Sequence, residues 1–161
     1  MGLLLLGLSA ATLAIAFQRG QTERCLAFYG TEAASAISRA KHVELWRLAE
    51  ENGRVTAVER TDISAAKGLV HLRRGLVEDA NFDWSAGTAA AAPLPAGAWG
   101  WAMVFADSAA GAAGEGATRL VLDVGDDGRR GWISVVGQGG RVGLGRIGPG
   151  LATWIEATTA P

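Results

Sequence analysis

Only three side chains in this sequence are of the types that most often act as nucleophile, general base or soft metal ligand near neutral pH: Cys25, His42 and His71. His71 lies in the stretch 61–84, TDISAAKGLVHLRRGLVEDANFDW, which also carries an unusual share of the charges. Paired with Asp79 or Asp83, His71 would be the acid–base element of a small hydrolase, but no activated nucleophile accompanies it. A metal centre needs three or four convergent ligands. Only His42, Cys25 and scattered carboxylates are left to join His71. His42 and Glu44 share one side of a strand, where two residues apart they could clasp a metal or simply decorate an edge. The residues therefore predict no catalytic centre, no metal site and no cofactor.

Two glycine motifs fail on context. Gly143, Gly145 and Gly148 match G-x-G-x-x-G between a strand and a helix, but no second strand and no acidic residue some 20 positions on can follow in so short a tail. Asp123-Val124-Gly125-Asp126-Asp127-Gly128 starts like a calcium loop, yet Gly125 and Ser134 stand where Asp/Asn and Glu are required. A solvated hairpin turn accounts for it.

The element that must hold His71 is an amphipathic helix. At about 3.6 residues per turn, Ile63, Ala66, Leu69, Val70, Leu76 and Val77 fall on one arc, and Lys67, His71, Arg74 and Glu78 lie opposite. Thr61 or Asp62 is placed to cap the N-terminus. Gly68 weakens the first turn, so regular helix is expected from Leu69. Arg73 falls inside the apolar arc, where its stem would cover apolar surface while its head reaches water or Asp62. Lys67, His71, Arg73, Arg74 and Glu78 form the candidate interaction face. Acidic residues at the end of a helix oppose its dipole, so Glu78 and Asp79 call for partners such as Arg73 or Arg74. Phe82 and Trp84 alternate with Asn81 and Asp83, which places both rings on the core.

The run DIS-x-A-x-GLVH-x-R-x-x-L-x-ED-x-x-FDW, with AISRAKHVELWRL upstream, resembles a group of small uncharacterised bacterial proteins. The similarity covers roughly residues 26–84. It implies a shared domain and no activity.

The rest of the chain supplies a sheet. Residues 31–40 read as a helix capped by Thr31. VELWRL (43–48) and RVTAVE (54–59) flank Glu51-Asn52-Gly53 as a hairpin. Residues 85–97 are rich in small residues and proline, as a flexible loop would be. In AWGWAMVFAD (98–107), Trp99, Trp101, Met103 and Phe105 recur with period two, predicting a strand with an aromatic row. Trp99 and Trp101 are the candidate lining of an apolar ligand pocket, the alternative being a sheet face covered by helices. Residues 118–125 and 131–137 are strands about an Asp-Gly turn. Residues 141–147 make a last edge strand, and Pro149 opens a C-terminal helix with Trp154 inward.

Residues 2–17, GLLLLGLSAATLAIAF, carry no charge and span about 24 Å as a helix, short of a ~30 Å hydrocarbon core. Residues 1–17 are read as a signal peptide or thin membrane anchor. Ala14-Ile15-Ala16 offers a cleavage pattern, whereas Arg19 and Arg24 after the segment favour retention on the cytoplasmic side. A net charge of −1 without a basic block disfavours nucleic acid as a partner, and one cysteine excludes an internal disulfide. Hydrophobic residues at 49% and charged at 19% describe a globular chain. The expectation is a single α+β domain over 18–161, an antiparallel sheet of four to six strands packed with two or three helices behind the leader. Its expected role is non-catalytic: a membrane-targeted or exported interaction module of the cell envelope, with a protein partner or a second copy docking on the Lys67–Glu78 face or a free sheet edge.

Overall fold

The computed structural model describes residues 20–85, 99–114, 116–125 and 131–160. The apolar leader, most of the 85–97 loop and the Asp126–Arg130 turn lie outside the described residues. The fold is α+β, as the patterning predicts: among the described residues, one antiparallel sheet of six strands in the order β2-β1-β3-β4-β5-β6, with four α-helices. The strands are β1 His42–Glu51, β2 Arg54–Asp62, β3 Trp101–Ala106, β4 Thr118–Asp123, β5 Trp132–Val135 and β6 Val142–Gly143. The helices are α1 Glu23–Arg39, α2 Leu69–Gly75, α3 Ala109–Ala112 and α4 Gly148–Thr159.

The β1–β2 hairpin follows from its turn chemistry. Asn52 and Gly53 both take positive φ, 53° and 74°, the conformation of a two-residue turn whose twist matches the strands it joins. Pairing then runs from Glu51 opposite Arg54 to Glu44 opposite Asp62, with one bulge where Arg47 gives way to Leu48. Pro149 stands in the first turn of α4, where a missing N–H costs nothing.

The pleat sends alternate residues to two faces. Val43, Leu45, Met103, Phe105, Leu120, Leu122, Ile133 and Val135 meet α1, α2 and α4 through Tyr29, Ile37, Leu69, Leu72, Leu151 and Ile155. Burying each large side chain here contributes about 1.5–3 kcal/mol. On the other face Trp46, Trp99, Ala102, Val104, Val121 and the α3 residue Ala112 form a smaller cluster.

Four expectations are corrected. The helix of the 61–84 stretch begins at Leu69 after Gly68 (φ 89°), as expected, but it is shorter than the apolar arc: residues 61 and 62 finish β2, and α2 ends at Gly75. Asp62 does not cap it. Its carboxylate accepts from the Ser64 N–H at 2.8 Å and from the Ser64 hydroxyl at 2.6 Å, a local turn that competes with helix initiation. Val70, assigned to the apolar arc, is 78% exposed. Finally, α1 starts eight residues before Thr31 and kinks at Gly30 (φ 75°, ψ 161°). The carbonyl at the kink, that of Tyr29, accepts from Gln138 Nε2 at 2.9 Å.

Candidate functional site

The DANFDW segment (79–84) is the first place to look for chemistry, because it gathers carboxylates and rings beside Cys25. Its groups are committed to structure. Asp79 Oδ2 accepts from the Arg24 N–H at 2.9 Å and Oδ1 from the Cys25 N–H at 2.7 Å, so it caps the first turn of α1 from 55 residues away. Its carbonyl receives Trp84 Nε1 at 2.8 Å. Asn81 Nδ2 donates to the Gly75 carbonyl at the end of α2. Phe28, Tyr29, Phe82 and Trp84 close a ring of edge-to-face contacts with centroids 5.0 to 6.4 Å apart. Cys25 is a buried free thiol. Burial first, then the hydrogen bond and charge of Asp79 and the charge of Glu78, push its pKa far above the ordinary 9.0, which leaves it inert as a nucleophile.

His71 projects from α2 into solvent, and no hydrogen bond joins it to Asp79 or Asp83. Asp83 instead holds the Ser85 hydroxyl at 2.6 Å. Around His71, Lys67 is exposed and Arg74 Nε pairs with Glu78 Oε1 at 3.0 Å in an exposed bridge. Arg73 departs from expectation. Its head does not reach Asp62; Nη2 donates to the Ala40 carbonyl at 2.7 Å, at the C-terminal end of α1, where a cation complements the dipole. Burial lowers its pKa, and its Nε is buried without a hydrogen-bond partner. The Trp99/Trp101 pair is divided. Trp101 packs against the core beneath the helices, and Trp99 joins the cluster on the opposite face, because β3 begins only at Trp101 and the pleat does not reach back to residue 99.

The constellation that most resembles a relay was weighed in sequence only as a pair. His42 Nε2 lies 2.8 Å from Glu44 Oε1, and its Nδ1 lies 3.3 Å from Ser64 Oγ. A serine, a histidine and a carboxylate in contact invite a catalytic reading. The hydroxyl, however, donates to Asp62 Oδ1 at 2.6 Å and accepts the Val43 N–H at 2.9 Å. Its proton is therefore directed away from the imidazole, and one lone pair is engaged. Glu44 also accepts from Trp46 Nε1 at 2.6 Å. Burial raises the Glu44 pKa, but hydrogen bonds from His42 and Trp46 and the charges of His42 and Arg60 outweigh it and hold the carboxyl below its ordinary 4.5. Arg60 and Arg119 lie over the Trp46 ring, 4.2 and 5.7 Å from its centroid. This is a satisfied polar lock between β1 and β2. Among the described residues no group of His, Cys, Asp and Glu can hold a metal ion.

Two surfaces stand out for binding among the described residues. The first is β2 itself. It forms the edge of the sheet, is exposed along almost its whole length, and turns Val55 and Val58 outward at 43% and 45% exposure. The second is a groove between α1 and α2. One part, of about 420 Å³, is lined by Cys25, Leu26, Ala34, Ser35, Arg39 and neighbours; the other, of about 290 Å³, by Val70, Arg73 and Arg74, and both share Ser38 and Val77. Sequence reading singled out Arg73 and Arg74 on this groove and missed Leu26, Ser38 and Arg39. Leu26 on α1 and Val77 in the turn after α2 line the same groove, which no single helical wheel displays.

Compared with protein families, with curated proteins and with solved structures, the chain matches none.

Proposed function

We propose that this protein is a non-catalytic interaction module of the bacterial cell envelope, brought to the membrane by residues 1–17 as an anchor or export signal, and that it docks a partner by strand addition on β2. The observation that carries the reading is the open edge: a nine-residue strand at the margin of a six-stranded sheet, its backbone unpaired on the outer side among the described residues. Such an edge supplies a row of main-chain donors and acceptors to an extended segment, while alternate side chains provide selectivity. The bulge at the Arg47/Leu48 register shift and the charges of Arg54, Glu59 and Arg60 suit a guarded edge, which resists indiscriminate sheet extension. The commitment of the Ser64 hydroxyl to Asp62 and Val43 and the burial of Cys25 support a role without covalent chemistry.

Two measurements test this. Fractionation with intact mass is expected to find the chain in the membrane with Met1 retained, or exported and beginning near Phe17; a soluble chain with an intact leader refutes the targeting. A photo-crosslinking amino acid at Val55 or Val58 is expected to capture a discrete partner in intact cells, whereas the same group at Thr153 on α4 does not. Equal capture at both places, or none at the edge, refutes docking on β2.

A further inference from the structure

We infer that the α1–α2 groove is a membrane-contact surface that rests on anionic lipid. The inference takes the anchored form of the reading above, and it concerns a different face from β2. Val70 is 78% exposed and Leu26 is 44% exposed, so two large aliphatic side chains face solvent on adjoining helices. They border one groove, and its mouth carries Arg39, Arg73 and Arg74. None of the described residues that line it is acidic. Two carboxylates stand beside the rim: Glu78 is occupied by Arg74 at 3.0 Å, and Asp79 by the Arg24 and Cys25 N–H groups at 2.9 and 2.7 Å. Arg73 holds the Ala40 carbonyl through Nη2 and its Nε is buried, so Arg39 and Arg74 are the exposed guanidinium groups of the rim. Arg39, in the last turn of α1, forms no ion pair among the described residues. Aliphatic side chains ringed by arginines are the chemistry of an interfacial surface: the apolar groups enter the acyl boundary and the guanidinium groups meet phosphate oxygens.

Chain connectivity selects a lipid surface over a soluble anion. The apolar leader ends at Phe17, and the groove begins at Thr22. Five residues reach at most about 17 Å when fully extended. A leader embedded in a bilayer therefore holds the groove within reach of the headgroups, at a high effective concentration. Each basic side chain near an anionic surface strengthens partition about five-fold.

The test uses the full chain carrying Val70→Cys labelled with an environment-sensitive fluorophore; Cys25 is buried and unreactive in the folded protein. Vesicles of phosphatidylcholine, with or without 40% phosphatidylglycerol and with doxyl-lipid quenchers, are floated with the protein. The expected result is flotation on both compositions, with the label quenched by doxyl lipid only when phosphatidylglycerol is present, and with docking weakened about tenfold or more by R39E/R74E. The same label at Thr56 on β2 stays unquenched. If the chain floats on both compositions but the label at 70 is never quenched, the membrane contact is refuted and the anchor stands. If the chain floats only on phosphatidylglycerol and the label is quenched, the contact stands and the leader is not the anchor. Absence of flotation on either refutes both. A blue shift without doxyl quenching assigns the groove to a protein contact and overturns the inference. R39Q/R74Q, which removes charge without reversing it, is expected to weaken docking by a smaller factor, and far-UV circular dichroism verifies that both variants fold.

Discussion

Replacing Asp79 by alanine is the sharpest test of how this domain is held together. The Asp79 carboxylate accepts two backbone N–H groups in the first turn of α1, at 2.9 and 2.7 Å. One of these bonds is exposed and the other half-buried, so the charge-assisted value of about 1.5–3 kcal/mol applies in full to one of them only. Loss of an N-terminal cap costs about 0.5–2 kcal/mol by itself, and the favourable interaction with the helix dipole falls within the same range. These overlap, and the expected net loss is about 2 kcal/mol. For a domain of this size that corresponds to about 4–8 °C in Tm. Asp79→Asn retains one acceptor and is expected to lose about half as much. Urea or thermal unfolding followed by circular dichroism measures the loss. A second readout is local: Asp79 raises the Cys25 pKa through its hydrogen bond and its charge, so its removal favours thiolate while loosening the turn. Cys25 should then react faster with a thiol reagent under native conditions. Unchanged stability to within about 0.5 kcal/mol, together with a thiol as slow as wild type, would refute the assignment of Asp79 as the cap of α1.

Four further outcomes are expected. Gly145 has φ of 50°, and a Cβ there would stand 2.8 Å from the Asp83 nitrogen and 2.9 Å from the Asn81 oxygen, so Gly145→Ala should cost about 3 kcal/mol by denaturation. The Glu44 carboxyl is depressed below 4.5 in the fold, so its contribution is fully present above pH 4.5 and is lost as pH falls through the folded value; E44Q should lower stability at pH 7 and flatten the acid limb, read by Trp fluorescence. A fluorophosphonate probe should leave Ser64 unlabelled, since its proton is held by Asp62, and a stable adduct at Ser64 would restore the relay reading. The Tyr29 hydroxyl is fully buried without a hydrogen-bond partner, so Tyr29→Phe should be neutral or stabilising by about 1 kcal/mol in the same unfolding assay.

The strands were legible because each carries its own signal. Period-two alternation, Asn52-Gly53 and the runs around Phe105, Leu120 and Ile133 mark the six strands within a few residues, with the α+β class following from them. The helices were less so, because what starts and stops them is distant. The cap of α1 comes from Asp79 and the acceptor at its kink is served by Gln138, so nothing near residue 23 announces a helix. Conversely, the arc from Ile63 to Val77 looks continuous on a helical wheel. The Asp62–Ser64 turn and the backbone of Gly68 interrupt it, and these are local conformations that hydrophobic periodicity does not register. The candidate face was legible in part: Arg73 and Arg74 were singled out, but Val70 was placed inside because an apolar residue on an apolar arc ordinarily is.

The two remote bonds that complete α1 also set a clock on synthesis. Asp79 follows Arg24 by 55 residues, and Gln138 follows Tyr29 by 109. At about 5–20 residues per second, the second partner leaves the ribosome about 5–20 s after the helix it completes. Until then the segment is two short pieces on either side of Gly30, each below the ~12–15 residues at which an isolated helix becomes even marginally stable in water. The apolar segment 2–17 thus leaves the ribosome joined to a helix that stays incomplete for those seconds.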